Sequence, residues 1–183
     1  MSRKSLATVG GLMASLTIIA FGLSLLSSNV EQNVVTWIMW AILDVLLLLS
    51  SIAAGSKGAW LLPAGYTLGA TTTAVVLLRR GVWVWGTVET LCAVGVLASV
   101  VVWRSVGPKW AIVALTIAMT IAGVPEAHHE YLNPQPASWW LWAIVALSCV
   151  LTGFATKEWS IKERFFPIAS FCWNAFMTIL VLR

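Results

Sequence analysis

Residues 34–54, VVTWIMWAILDVLLLLSSIAA, form an apolar run in which Asp44 is the only charged residue. A helix needs about 20 mostly apolar residues to cross a bilayer, and this run is long enough. Six further runs of the same kind fill the chain, at residues 5–27, 59–78, 82–103, 110–124, 137–156 and 165–182. The sequence therefore predicts an all-α integral membrane protein with seven transmembrane helices and short connections.

The composition of the whole chain excludes the common soluble classes. Of its 183 residues, 60% are apolar and 10% are charged, whereas an ordinary soluble domain has about 25% charged residues. The net charge is only +4, and 12 residues are Trp. These values exclude a disordered chain, a disulfide-stapled secreted domain and a nucleic-acid-binding arm. The lipid bilayer is the expected surrounding, and no nucleic-acid partner is expected.

The basic residues predict an orientation in the membrane. With seven spans, the connections alternate between the two sides, and the side richer in Lys and Arg is cytoplasmic. One side carries Arg3, Lys4, Lys57, Arg104, Lys109, Lys157, Lys162 and Arg164; the other carries Arg79, Arg80 and Arg183. We therefore expect a cytoplasmic N-terminus, in a membrane of the bacterial inner or plasma type.

The chain contains an internal repeat. Trp37-Ile38-Met39-Trp40-Ala41-Ile42 opens the second run, and Trp139-Trp140-Leu141-Trp142-Ala143-Ile144 opens the sixth, 102 positions later. Pro63 and Pro167 begin the third and seventh runs and are 104 positions apart. Runs one to three therefore match runs five to seven.

This repeat predicts the domain organisation. Residues 1–78 are the first three-helix repeat, residues 79–107 the linker helix, and residues 108–183 the second three-helix repeat. Two units with an odd number of helices point the same way only when a single helix joins them. The predicted fold is thus two parallel three-helix repeats plus one linker helix (3+1+3).

Several motifs of the second half carry a resemblance to a known group of proteins. Ala122-Gly123-Val124-Pro125-Glu126 stands where that group has a Pro-Gln pair, with Glu126 in place of Gln. Asn133-Pro134-Gln135-Pro136-Ala137-Ser138 is a similar polar lead into the next helix, and Pro167 with Asn174 resembles the Pro and Asn of the third helix. The chain thus resembles the SWEET sugar transporters, the PQ-loop family and the bacterial nicotinamide riboside transporters. The resemblance implies the same 3+1+3 architecture and transport of a small solute.

Asp44 is the first candidate for a functional residue. A carboxylate near the middle of a bilayer costs about 2.5–3.5 kcal/mol on insertion scales, so it is expected to face a cavity or a partner. Trp40 and Trp37, one and two turns earlier, share its helix face. A carboxylate beside indole rings suits a cationic or ring-bearing solute. The alternative is a structural Asp that is hydrogen-bonded to hydroxyl groups such as those of residues 71–73 or Ser15.

Asn174, next to Trp173, is the second candidate. It lies midway along the seventh run and, like Asp44, has no polar counterpart in the other repeat. Transporters built from repeats bind their substrates near the midplane, between the repeats. We therefore expect Asp44 and Asn174 to approach one cavity, although an interhelical hydrogen bond of Asn174 is an equal alternative. The predicted substrate-binding residues are Trp37, Trp40, Asp44, Trp142, Trp173 and Asn174.

Other polar residues are expected to have structural roles. Glu89 is predicted about two turns inside the fourth helix, with Arg79 and Arg80 within reach. A further group, predicted to lie in one external loop, invites a metal hypothesis. The group lacks the helical pair of His residues four positions apart that a zinc protease uses, so no metal or cofactor is expected. Its members are Glu126, His128, His129 and Glu130.

These features favour a transporter over an enzyme. A single Asp excludes an intramembrane pair of catalytic aspartates, and the seventh run has no Lys to bind retinal. The expected function is a facilitator or proton-linked carrier of a small polar ring-containing solute, such as a sugar or a nucleoside-like vitamin. The alternative is a structural or accessory subunit of a membrane complex, or a receptor-like protein. A homo-oligomer is compatible with either function.

Overall fold

The chain folds into a bundle of helices. A computed structural model describes residues 2–27, 32–134 and 138–183, except for the side chain of His129. In these ranges there are seven α-helices, and a single π-helical turn, Ile161–Phe165, leads into the last of them. The helices are α1 (Arg3–Ser24), α2 (Val34–Ala53), α3 (Leu61–Leu77), α4 (Thr87–Ser105), α5 (Pro108–Leu132), α6 (Trp139–Ala155) and α7 (Phe166–Leu182).

Local sequence determines where several helices begin and end. The side chain of Asn33 caps α2 by accepting a hydrogen bond from the N–H of Val35 at 3.1 Å. Gly55 follows the end of α2 with φ of 70°, a conformation that glycine adopts without strain. Pro63 and Pro167 lie in the first turns of α3 and α7, where a missing backbone N–H is tolerated.

The start of α4 differs from the prediction. The apolar run begins at residue 82, but the helix begins at Thr87. Residue 82 is held instead by another segment, because the N–H of Val82 donates to the carbonyl of Gln32 at 3.1 Å and the N–H of Val34 donates to the carbonyl of Val82 at 2.9 Å. The linker helix is therefore shorter than its apolar run.

The described helices have the length and composition of membrane spans. Five of those in the described ranges are long and apolar enough to cross a membrane: α1, α2, α4, α5, and α7 together with its π-helical turn. The other two, α3 and α6, are apolar helices of 17 residues each. Seventeen residues is the lower limit of the usual range for a spanning helix.

The distribution of side chains between surface and interior is compatible with a membrane protein. Large apolar side chains such as Leu16, Phe154 and Ile179 are exposed. By contrast, the polar side chains of Asp44 and Asn174 are buried. Exposed apolar side chains around a partly polar interior are what a lipid-facing bundle requires.

The helices pack in a reciprocal pattern. Helix α3 contacts both α1 and α2, and α7 contacts both α5 and α6. Helix α1 packs on α6, α2 packs on α5, and α4 lies against α2 and α5. Small residues allow the closest approach, since a Cβ atom on Gly65 would lie 2.2 Å from the carbonyl oxygen of Gly11.

Candidate binding site

A cavity lies in the middle of the bundle, among α1, α2, α3, α5, α6 and α7. Its volume is about 120 Å³. All six predicted binding residues line it: Trp37, Trp40, Asp44, Trp142, Trp173 and Asn174. The structure thus brings Asp44 and Asn174 to one space, and their role in binding stays a prediction.

Asp44 is placed in the cavity wall by α2. It is 2% exposed, and its Oδ1 has no hydrogen-bond partner in the described ranges. The hydroxyl groups predicted as structural partners do not supply one: the Oγ1 of Thr73 donates to the carbonyl of Gly69 at 3.0 Å. Burying a polar group without a partner costs free energy. Asp44 is therefore an acceptor available to a bound molecule.

Asn174 is tied to two neighbours. Its Nδ2 donates to the carbonyl of Ser170 at 2.7 Å and to the hydroxyl of Tyr66 at 3.2 Å. The hydroxyls of Tyr66 and Ser170 share a hydrogen bond of 2.8 Å. The interhelical hydrogen bond that was the alternative for Asn174 is thus present, and Asn174 also lines the cavity.

Seven of the nineteen residues that line the cavity are aromatic. Trp37 and Trp40 contact each other edge to face with ring centroids 5.4 Å apart, and Tyr66 and Phe166 do the same at 5.6 Å. Phe21 packs against Trp37 at 5.8 Å. The sequence predictions did not include Phe21, Tyr66, Phe166 or Ser170. The signal for two of them was present, because Tyr66 and Ser170 are 104 positions apart, like the two prolines of the repeat.

A second space, the vestibule, adjoins the cavity at the end of the bundle where α1 ends and α2 begins. Its volume is about 550 Å³, and Trp37, Trp40 and Trp142 line both spaces. Glu126 and Glu130 also line the vestibule. In the described part of the chain, no Lys, Arg or His lines either space. The two spaces therefore share part of their walls.

The opposite end of the bundle is closed by a polar bridge between two connections. Glu163, in the π-helical turn before α7, is 1% exposed. Its carboxylate accepts from the N–H of Lys57 at 2.5 Å and from the N–H of Ala59 at 3.3 Å, both in the α2–α3 connection. At the surface, Lys57 pairs with Glu158 at 2.6 Å. The hydrogen bond and attraction of Lys57 lower the pKa of Glu158, and Glu158 raises the pKa of Lys57.

The structure corrects the predicted setting of Glu89. It lies in the first turn of α4, not two turns inside the helix. Its carboxylate accepts from the Nδ2 of Asn33 at 2.7 Å, from the hydroxyl of Thr36 and from the N–H of Gly86 at 2.8 Å. Arg80, a predicted partner, instead donates to the backbone at the end of α1. Glu89 therefore joins α2 to α4 through neutral donors, which agrees with a structural role.

The group predicted to form an external loop is in fact helical. Helix α5 continues through Pro125 to Leu132, so Glu126, His128 and Glu130 lie in its last turns. In an apolar environment the helix satisfies the backbone groups around a proline better than a loop would. Among the described side chains, no group of three or more His, Cys, Asp or Glu could hold a metal ion. Residues 135–137 of the polar lead into α6 are outside the described ranges.

Comparison of the chain with protein-family models, with curated proteins and with solved structures finds no match in any of the three.

Proposed function

We propose that the protein is a membrane transporter that carries a small polar ring-containing solute by alternating access, and that it has no catalytic activity. The observation that carries the proposal is the mid-bundle cavity, which has aromatic side chains in its wall. Asp44 lines this cavity, and its Oδ1 has no hydrogen-bond partner among the described residues. Buried ionisable residues in membrane proteins mark the paths of solutes and ions. The carboxyl group of Asp44 can bind and release a proton. The proposed carrier therefore either couples transport to protons or acts as a facilitator without coupling.

The helix contacts support a 3+1+3 architecture of the SWEET type. In each set of three, the third helix packs against the other two. The first helix of each set also packs against the second helix of the other set. Two parallel repeats related by an axis along the membrane normal produce this reciprocity. The proposed units are α1–α3 and α5–α7, with α4 as the linker.

Two pairs of residues that are equivalent in the repeat also support this architecture. Tyr66 and Ser170, 104 positions apart, share a hydrogen bond of 2.8 Å. Trp40 and Trp142, 102 positions apart, both line the cavity. Equivalent positions of two units can touch only near the axis that relates the units. The proposed solute site therefore lies on this axis.

The two ends of the bundle support alternating access. The vestibule leads to the cavity at one end, and the bridge of Glu163 to Lys57 and Ala59 closes the other. Alternating access requires two states, one open at each end of the bundle. The arrangement described here corresponds to the proposed state that is open at the vestibule. Since the closed end carries the basic connections, we place it and the N-terminus on the cytoplasmic side of a bacterial-type inner or plasma membrane.

An accessory subunit or receptor-like protein is the alternative. Such a protein would also expose apolar side chains to lipid and to partner helices, and a homo-oligomer or larger membrane complex fits either function. It would not need a cavity with a buried carboxylate that lacks a partner. Asp44 therefore favours the transporter.

Solute uptake into proteoliposomes tests the proposed function. We expect wild type to show saturable uptake of at least one ring-bearing solute from a panel of sugars, nucleosides and ring-bearing cations. Trp40→Ala and Trp142→Ala are each expected to raise the half-saturation concentration about tenfold, because each removes one aromatic wall. Trp159→Ala is the matched control, since this Trp is 81% exposed and far from the cavity.

Two outcomes would contradict the proposal. Wild type without saturable uptake of any panel member would favour the accessory subunit. An equal effect of the Trp40, Trp142 and Trp159 variants on uptake would show that the cavity is not part of the transport path.

Opening of the closed end can be measured with a native thiol. Cys149 is buried beside Tyr66, at 3.8 Å from its hydroxyl, and packs with Leu47 and Leu62 on the closed side of the cavity. In a Cys92→Ala, Cys172→Ala background, we expect Glu163→Gln to increase the alkylation rate of Cys149 about tenfold. The reason is that loss of charge-assisted hydrogen bonds favours the state open at this end.

Glu158→Gln is the control for this measurement. It removes a carboxylate from the same connection but leaves the buried bridge to the backbone intact. Alkylation of Cys149 at the wild-type rate in the Glu163→Gln protein would show that the bridge is not a gate.

A further inference from the structure

We infer that the solute is a monovalent organic cation with a flat ring, and that Asp44 is its counter-ion. The inference rests on the proposed function and narrows it. The sequence left both cationic and neutral ring-bearing solutes open, and the contacts within the cavity favour the cation.

The first argument is charge. Asp44 is the one formally charged side chain that lines the cavity in the described part of the chain. It is 2% exposed, and its Oδ1 has no hydrogen-bond partner there. A buried charge is stable only when it is paired. A cation in the cavity supplies the pairing that the described side chains do not.

The second argument is that several polar donors of the cavity wall already have acceptors. The hydroxyls of Thr116 and Thr120 donate to backbone carbonyls of their own helix, at 2.7 and 2.9 Å. The Nδ2 of Asn174 donates to the hydroxyl of Tyr66, which shares a hydrogen bond with Ser170. A sugar carries many hydroxyl groups, and each one buried without a partner weakens binding. A cation beside an aromatic ring needs fewer polar partners than a polyol does.

The third argument is the aromatic wall. Trp40 lies one turn from Asp44 on the same face of α2, so an indole and the carboxylate can contact one ligand together. Indole rings attract cations through their faces and stack on flat rings. The rings around the cavity include those of Trp37, Trp40, Tyr66, Trp142, Phe166 and Trp173.

Two ligands of the same shape and different charge test the inference. N-methyl-4-(hydroxymethyl)pyridinium is a flat monovalent cation, and 4-methylbenzyl alcohol is its neutral isostere. Binding of each is measured by titration calorimetry with the full chain in lipid nanodiscs. We expect wild type to bind the cation at least tenfold more tightly than the alcohol, and Asp44→Asn to reduce this preference below threefold.

The comparison in wild type needs no variant, so it holds even if Asp44→Asn fails to fold. Equal binding of the two ligands by wild type, no binding of the cation at millimolar concentration, or an unchanged preference in folded Asp44→Asn would each overturn the inference.

Uptake of the same ligands separates this inference from the proposed function. Preferential binding of the cation without uptake into proteoliposomes would support the inference and contradict transport. Uptake of the alcohol at the rate of the cation, after subtraction of its passive entry into protein-free liposomes, would support transport and overturn the inference.

Discussion

Replacement of Asp44 by leucine is expected to abolish uptake and to stabilise the protein at the same time. The carboxyl group is 2% exposed, with Oδ1 unpaired in the described ranges. A buried polar group without a partner costs about 1–3 kcal/mol in mutational data. Leucine removes that cost, and the cavity beside position 44 has room for its larger side chain. We expect the free energy of unfolding to rise by about this amount. Thermal unfolding and uptake of the same preparations are the two measurements.

Asn174→Leu is the control in the same cavity. Asn174 is as buried as Asp44, but it donates hydrogen bonds to Ser170 and Tyr66. Its replacement is expected to lower stability by about 0.6 kcal/mol, the mean of interhelical hydrogen bonds in a membrane protein. The two variants should therefore shift the unfolding temperature in opposite directions. Destabilisation by Asp44→Leu would mean that the carboxylate is satisfied and structural.

The number and approximate positions of the helices could be predicted from the sequence, because the length of an apolar run is set by the thickness of a bilayer. The ends of the helices were less predictable. Residues 82–85 are apolar, yet Val82 pairs its backbone with residues 32–34, a contact that hydropathy does not encode. Pro125 marked a helix end in the sequence, but a helix among other helices tolerates an internal proline.

Some residues of the cavity could likewise be predicted from the sequence, and others could not. Asp44 could be found because a carboxylate in an apolar run is costly, and Trp40 because the period of the helix places it on the same face. Phe166 could not be found, since an aromatic residue that faces a cavity and one that packs in a core have the same sequence pattern. Tyr66 could have been found from its 104-residue separation from Ser170.

Among the functional candidates, Glu163 is the hardest to identify from the sequence. It stands between Lys162 and Arg164, so it has the pattern of a solvated loop residue. The structure buries it against the backbone N–H groups of Lys57 and Ala59, more than a hundred positions away. Backbone donors have no sequence signature, and such a contact becomes visible only in three dimensions. The π-helical turn that carries it is a feature often found at functional sites.

Gly65→Ala is expected to cause the largest loss of stability. The new Cβ would lie 2.2 Å from the carbonyl oxygen of Gly11, so α1 and α3 would have to separate along their close contact. Overpacking of this kind costs about 1–3 kcal/mol, and we expect the upper end because the obstacle is backbone. The measurement is thermal unfolding in the same detergent or nanodisc for all variants.

Gly153→Ala is the matched control, since it adds the same methyl group within a helix of the same bundle. Its Cβ would lie 3.9 Å from the Cβ of Pro167, an ordinary contact, so the added methyl group meets no obstacle. Alanine also loses less conformational freedom on folding than glycine, which favours this variant by about 0.5–1 kcal/mol. The two substitutions are therefore expected to move the unfolding temperature in opposite directions. Equal shifts would show that the approach of α1 and α3 is not limited by the side chain at position 65.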